Sequence, residues 1–375
     1  MLQIDHVYEF FCKSLFKDFR IYTLANGVMP QTLTTFVWDN FYVFNKHNTT
    51  QKIFFIDQEP VLEKFLTDSL DFFDSYPEEK NVNLLVTSEF QSAYGPDIIP
   101  LYYFFHGFAA LDWYRGFHSL NFNKQFIKNY QFDYVSFNRL VTNDRSYRCY
   151  FISQLVEKNL IDKGQVSFNL SNEQGSWHEE ILNKYTKLSP KAKHSISNNL
   201  KNINGPLIID NETIYGWASA DIPRCIDNSL WHVVTETVFY YNKLHLTEKI
   251  FKPIVMKQPF MLLASPGNLA YLRRYGFKTF EGIIDESYDT IQDHDARVDA
   301  VVDQLNWYCN LSQDEKSQVI ERLAPIVEYN FNHFYGAFRH IIAKELLTNC
   351  QTLFKEIGYD DKTIAYNNIY KVLTN

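Results

Sequence analysis

Four places in this 375-residue chain carry side chains whose type and setting invite chemistry. The densest is Thr247-Glu248-Lys249, which opens a segment with helical spacing. A helix starting at Thr247 puts Lys249 in its first turn, where the helix dipole is already positive and a lysine is unfavourable unless an anion compensates. The triplet reads either as a phosphate contact at a helix N-terminus or as a surface lysine beside a surface glutamate. Glu236 lies between Thr235 and Thr237 in an apolar, strand-like run, where an unpaired charge is costly. It needs a partner or a ligand hydroxyl, unless it occupies the solvated face of an edge strand. Glu59 follows the apolar run Lys52 to Asp57 and precedes Pro60, which biases it toward extended backbone. Such a carboxylate either faces a cleft from the end of a strand or caps the next helix. Arg148 has apolar neighbours in a helical pattern, the setting of an arginine whose stem lies along an apolar face.

Two further candidates have weaker settings. Asp293-His294-Asp295 has the spacing of a metal-binding Asp-x-Asp, but no strand precedes it, and a solvated helix start fits the polar stretch around it. His106 follows an apolar run and faces either a cleft or the core. The chain contains no Gly-x-x-x-x-Gly-Lys-Ser/Thr loop, no Gly-x-Gly-x-x-Gly and no Gly-x-Ser-x-Gly elbow, which argues against ATPase, dehydrogenase and hydrolase classes.

The elements that must position these residues follow from hydrophobic patterning. Around the triplet, the order from Trp231 to Phe280 is strand, loop, helix, strand (259–263) and a second helix opened by Ser265-Pro266-Gly267 and stopped at Gly276. That is half of a nucleotide-binding α/β domain, in which phosphates sit beyond the carboxyl ends of strands. Pro253 lies inside the helix of the triplet and requires it to be short or bent. Upstream, 52–57 and 83–87 read as buried strands, with a helical stretch at 61–73 between them and a third apolar run at 100–105. A second series begins with a strand at 132–137 and a helix at 143–158. Residues 170–204 are polar and carry no strand signal, 206–210 and 228–240 read as strands, and 297–308, 314–328 and 332–372 as helices. Strands alternating with helices predict parallel sheets in two α/β domains, a division that 375 residues accommodate.

Composition narrows the function classes. A net charge of −8 argues against broad electrostatic binding of nucleic acid. Five scattered cysteines without a Cys-x-x-Cys pair predict reduced thiols. No basic-then-apolar leader is seen, and no apolar run reaches the roughly 18 residues of a membrane span. The expectation is a cytoplasmic protein with no membrane span.

At these residues the chain resembles the family 10 glycosyltransferases, the α-1,3/1,4-fucosyltransferase type, over most of residues 51–290. Gln51 to Pro60 is similar to the family's stretch ending in Glu-Ser-Pro, and Tyr94 to Tyr103 to the segment after it. Val135 to Leu155 resembles the family's Ser-Asn, then Arg, then Leu, with Asn138 and Arg148 at the matching places. Glu236 matches the Glu of Phe-Glu-Asn, Thr247-Glu248-Lys249 the Thr-Glu-Lys signature, and Gln258 to Pro266 the strand ending in Gly-Ser-Pro. Thr237, His245 and Ala264 depart from the family's Asn, Tyr and Gly. The phrases GFKTF and IDESYD also resemble phage-encoded members of this type.

The resemblance implies a GT-B-like α/β fold: two Rossmann-like domains with parallel sheets and a cleft between them. The acceptor-side domain is expected over 1–130, with the helix of about 355–375 packing back on it, and the nucleotide-sugar domain over 131–354. It implies an inverting transferase that moves a sugar from a nucleotide-diphosphate donor, GDP-fucose in the family, to a glycan hydroxyl. Glu59 is then the general base, Arg148 and Lys249 neutralise the diphosphate, Glu248 holds the ribose or base, and Glu236 accepts hydrogen bonds from donor hydroxyls. Asn138 and Thr247 belong to the same donor-binding set. No cofactor is required, and a divalent metal is compatible but not demanded. Two alternatives stand beside it: a phage enzyme glycosylating a hydroxymethylated base in DNA, and a non-catalytic GT-B protein that binds a nucleotide or glycan. Acceptor, linkage and oligomeric state are left open.

Overall fold

The computed structural model describes the backbone of five strands between residues 19 and 100, and, with side chains, residues 101–115, 129–138, 140–168, 182–203 and 225–353 apart from a few single positions, with the backbone alone of 354–356. The chain divides into two compact units, 1–112 with 339–375, and 113–338. The helix expected at about 355–375 lies almost entirely outside the described residues.

In the first unit the strands are β1 (Phe19–Tyr22), β2 (Val43–Lys46), β3 (Lys52–Ile56), β4 (Val82–Val86) and β5 (Ile98–Pro100), in the spatial order β1-β2-β3-β4-β5. β3, β4 and β5 run parallel, but β1-β2 and β2-β3 are antiparallel. The expected parallel sheet is therefore a mixed one. The physical reason is chain length: only residues 47–51 separate β2 from β3, too few for a crossover, so the two strands must pair as a hairpin. Helix α1 (Phe105–Trp113) follows and is buried from Phe105 to Asp112. The apolar run at 100–105 thus straddles the end of β5 and the start of α1, a case in which continuous burial hides the period. The last described helix of this unit is α8 (Arg339–Glu356), where Asn349 Nδ2 donates to the carbonyl of Tyr102 at 2.8 Å.

The second unit begins with β6 (Phe132–Asn138), α2 (Tyr147–Glu157), β7 (Gly164–Phe168) and α3 (Pro190–Asn199). It continues with β8 (Ser229–Thr235), α4 (Glu248–Val255), β9 (Phe260–Leu263), α5 (Asn268–Arg274), α6 (His294–Cys309) and α7 (Gln313–His333). The four strands form one sheet in the order β7-β6-β8-β9, and every pair is parallel. All seven residues of β8 and all four of β9 are buried, as a parallel sheet covered on both faces requires. Trp231 anchors the core edge-on against Phe280 and Tyr308. On the edge strand, Gly164 lies opposite Tyr134, whose buried ring fills the space a Cβ would occupy and whose hydroxyl donates to the carbonyl of Leu160.

Helix α4 is short, eight residues, and its ends explain why. Thr247 caps it in extended geometry, while Pro253 denies the interior an N–H. The helix closes in a Schellman turn: Lys257 takes a φ of 51°, Gln258 N donates to Pro253 O at 2.8 Å, and Lys257 N donates to Ile254 O at 3.2 Å.

Candidate functional site

In the second unit the chain reverses direction of growth between β6 and β8: β7 is added on one side of β6, and β8 and β9 on the other. Open α/β sheets of this order leave a crevice beyond the carboxyl ends of the two central strands, the usual ligand position in such sheets. The register Ser136↔Val233 brings Asn138 level with Thr235, so both strands end together. The loops that follow, 139–146 and 236–247, lead into α2 and α4.

Arg148, on the first turn of α2, spans this crevice. One guanidinium nitrogen donates to Leu140 O at 2.7 Å, in the loop after β6, and the other to Thr235 O at 2.9 Å, at the end of β8. The residue is only 4% exposed. Its partners are neutral carbonyls that have run out of strand to pair with, so it satisfies both strand ends and leaves a fixed positive charge behind them. Tyr147 beside it stacks on Phe239 with ring centroids 3.9 Å apart and donates to Glu236 O at 2.6 Å. Burial raises the Tyr147 pKa, against the pull of the neighbouring arginine, and keeps its hydroxyl a donor.

Glu236, the first residue beyond β8, is fully buried. One carboxylate oxygen accepts from Thr247 N at 3.1 Å. The other accepts from the Thr247 hydroxyl at 2.6 Å and from Thr237 N at 3.2 Å. The costly charge anticipated in the sequence is thus compensated by three donors of the chain itself, across eleven residues. Thr247 in turn receives Lys249 N at 3.4 Å and Lys249 Nζ at 3.1 Å on the same hydroxyl oxygen. The ammonium also reaches Glu248 at 3.0 Å and the Thr237 hydroxyl at 3.4 Å. The Lys249 side chain keeps 35% of its surface exposed, whereas Glu248 keeps 8%. Lys249 is therefore the solvent-facing cation of this edge and Arg148 the enclosed one.

Asn138 completes the group. It is buried, takes Ser167 Oγ with its backbone N–H at 3.1 Å and donates from its amide to Ser136 Oγ at 3.1 Å. Its side-chain oxygen has no hydrogen-bond partner among the described residues. Six of the residues singled out in the sequence, Asn138, Arg148, Glu236, Thr247, Glu248 and Lys249, thus gather at one sheet edge. Glu59 lies outside the described residues.

The neighbouring helix end is occupied by the chain itself. Gly267 turns into α5 with a φ of 85°, and the Asp289 carboxylate accepts from Leu269 N at 2.9 Å and Ala270 N at 3.2 Å. Burial raises the Asp289 pKa while these N–H groups lower it. Asp293-His294-Asp295 is a helix start: Asp293 accepts from Ala296 N at 2.8 Å as the cap of α6, and Asp295 accepts from Ser189, the cap of α3. His294 has its pKa lowered by burial and by the nearby Arg297. Among the described residues no group of three His, Cys, Asp or Glu is placed to hold a metal ion. His106 is buried in α1.

Sequence reasoning missed Tyr147 and the clasp behind the 236–247 loop. There Asn268 accepts from His245 N at 2.9 Å and Ser265 donates to Lys243 O, while Arg297 donates to Phe239 O at 2.9 Å. Burial lowers the Arg297 pKa to about 10. Only the Ser-Pro-Gly segment ahead of Asn268 carried a sequence signal.

The class these features define is an α/β protein whose four-stranded parallel sheet, with helices of mixed length, is compatible with a Rossmann-like fold. Comparison of the chain with family models, with curated proteins and with solved structures gave no match. Among the described residues no helix is long and apolar enough to cross a membrane.

Proposed function

We propose that the chain is an inverting glycosyltransferase that takes a sugar from a nucleotide-diphosphate donor to an acceptor hydroxyl on a glycan, with a GT-B-like pair of Rossmann-like domains. The observation that carries the reading is the pairing of a partly exposed cation, Lys249, with an enclosed one, Arg148. Both stand at the carboxyl end of β8, beside the N-terminus of α4. Positive charge at this point of an open parallel sheet suits a diphosphate.

In the reaction so assigned, the acceptor oxygen attacks the anomeric carbon as the bond from that carbon to the diphosphate oxygen breaks. The leaving nucleoside diphosphate takes the electron pair, and the acceptor proton passes to a carboxylate. The family resemblance assigns that carboxylate to Glu59. Lys249 meets the charge that grows on the leaving phosphate, and Arg148 supports it from behind the strand ends, the kind of preorganised electrostatics that lowers such barriers. Cytoplasmic location belongs to the same reading.

Calorimetric titration with GDP, UDP, CMP and dTDP tests the donor site. The expected result is selective binding of one nucleotide by the wild-type protein, weakened at least tenfold in Lys249→Ala. Failure of the wild type to bind any of the four overturns the reading.

A further inference from the structure

We infer that Glu236 is a positioning residue that acts through the Thr247 hydroxyl to aim the Lys249 ammonium, and that it touches no ligand itself. The inference rests on the reading of Lys249 as a phosphate contact. A residue that binds sugar hydroxyls must present its carboxylate to the crevice. The Glu236 carboxylate is fully buried, and its two oxygens already take Thr247 N, the Thr247 hydroxyl and Thr237 N.

The hydroxyl of Thr247 links the buried carboxylate to the ammonium. Its single proton is committed to Glu236 at 2.6 Å, so its oxygen faces Lys249 purely as an acceptor, 3.1 Å from Nζ. Without Glu236 the hydroxyl is free to rotate and present its proton to the ammonium, which repels it. Thr237 adds a second link: its backbone N–H binds Glu236 and its hydroxyl lies 3.4 Å from the same Nζ. The ammonium therefore rests between two threonine hydroxyls on one side and Glu248 on the other. With the threonine side removed, Glu248 alone holds Lys249 and neutralises it, which takes the positive charge away from an incoming phosphate. A buried carboxylate that never meets substrate thereby decides whether the cation is available.

Two measurements on the full chain test this. The first is the rate at which Lys249 is acetylated by acetic anhydride at pH 8, followed by peptide mass spectrometry. It needs no ligand. Left to Glu248 alone, Lys249 is held as the ammonium and is expected to react several-fold more slowly in Thr247→Val and in Glu236→Gln, with Thr247→Ser recovering most of the wild-type rate. The second is the affinity for inorganic pyrophosphate, expected to fall roughly tenfold in Thr247→Val and to be largely recovered in Thr247→Ser. An unchanged acetylation rate in both Thr247→Val and Glu236→Gln overturns the positioning role. Altered acetylation in the two variants, with a wild-type protein that binds neither pyrophosphate nor nucleotide, upholds the link from Glu236 to Lys249 and removes the donor-site reading instead. A folded Thr247→Val protein that binds pyrophosphate as the wild type does also overturns the inference, because a threonine needed only for folding leaves affinity unchanged.

Discussion

The contact between Glu236 and Thr247 is open to a thermodynamic test that needs no ligand. A double-mutant cycle compares the wild type, Glu236→Gln, Thr247→Val and the double variant. Thr247→Val keeps the side-chain volume and deletes the hydroxyl, which donates to a buried carboxylate at 2.6 Å. A hydrogen bond to a charged group contributes about 1.5–3 kcal/mol. The same hydroxyl caps α4, but at 3.4 Å from Lys249 N, so the cap adds only the low end of its usual range, about 0.5 kcal/mol. Thr247→Val is therefore expected to cost about 2–3.5 kcal/mol. Glu236→Gln replaces one acceptor oxygen by a donor, yet N–H groups face both oxygens, Thr247 N on one and Thr237 N on the other. Whichever way the amide turns, a donor meets a donor in a buried space, at about 2–4 kcal/mol. Once either partner is gone the second loss is smaller, so the coupling should be about 1.5–3 kcal/mol. Urea unfolding of the four proteins at pH 7 reads it directly. Additivity within about 0.5 kcal/mol would falsify the argument, since contacting partners couple and independent sites add.

Two further tests address the sheet that carries the site. His232, central in β8, has its pKa lowered to about 3, chiefly by burial and then by the nearby Lys252 charge. A group held neutral in the fold but protonated near pH 6.5 when unfolded stabilises the protein fully above pH 6.5 and loses that contribution as pH falls toward 3. Unfolding free energy should drop by up to about 1.4 kcal/mol per pH unit between pH 6 and pH 4 from this residue. The matching slope should flatten in His232→Leu, and an equal slope in both proteins refutes the assignment. For Gly164→Ala, the added Cβ would stand 2.3 Å from a Tyr134 ring that is buried and tied to Leu160 O. The expected loss is about 2–4 kcal/mol, in the range of severe overpacking, with recovery in the double variant Gly164→Ala/Tyr134→Leu. A stable single variant would mean that the ring can move aside.

What was legible in the sequence was local. The strands at 132–138 and 260–263, the start of α4 at Thr247 and its shortness at Pro253 all follow from hydrophobic period, capping chemistry and the missing proline N–H, which act over a few residues. β7 was not expected because GQVSF is short, polar in part and opens on glycine. Its pairing depends on Tyr134 from another strand to fill the space above that glycine. The antiparallel start of the first sheet was equally hidden, since β1 and β2 are four residues each and gain their place only by pairing, β2 with β3 and β1 with β2.

The candidate site divides the same way. The residue types alone raised the question of what compensates Glu236 if it is buried and Lys249 if it opens a helix, because burying a charge and opposing a dipole are costs of the residue itself. Which group compensates was decided only by the tertiary structure. Glu236 finds Thr247 eleven residues on, and Arg148 finds the ends of two strands, one of them 87 residues away. A hydrogen bond needs its partners within about 3 Å, and no spacing along the chain specifies which distant residues the parallel sheet will bring to its carboxyl edge.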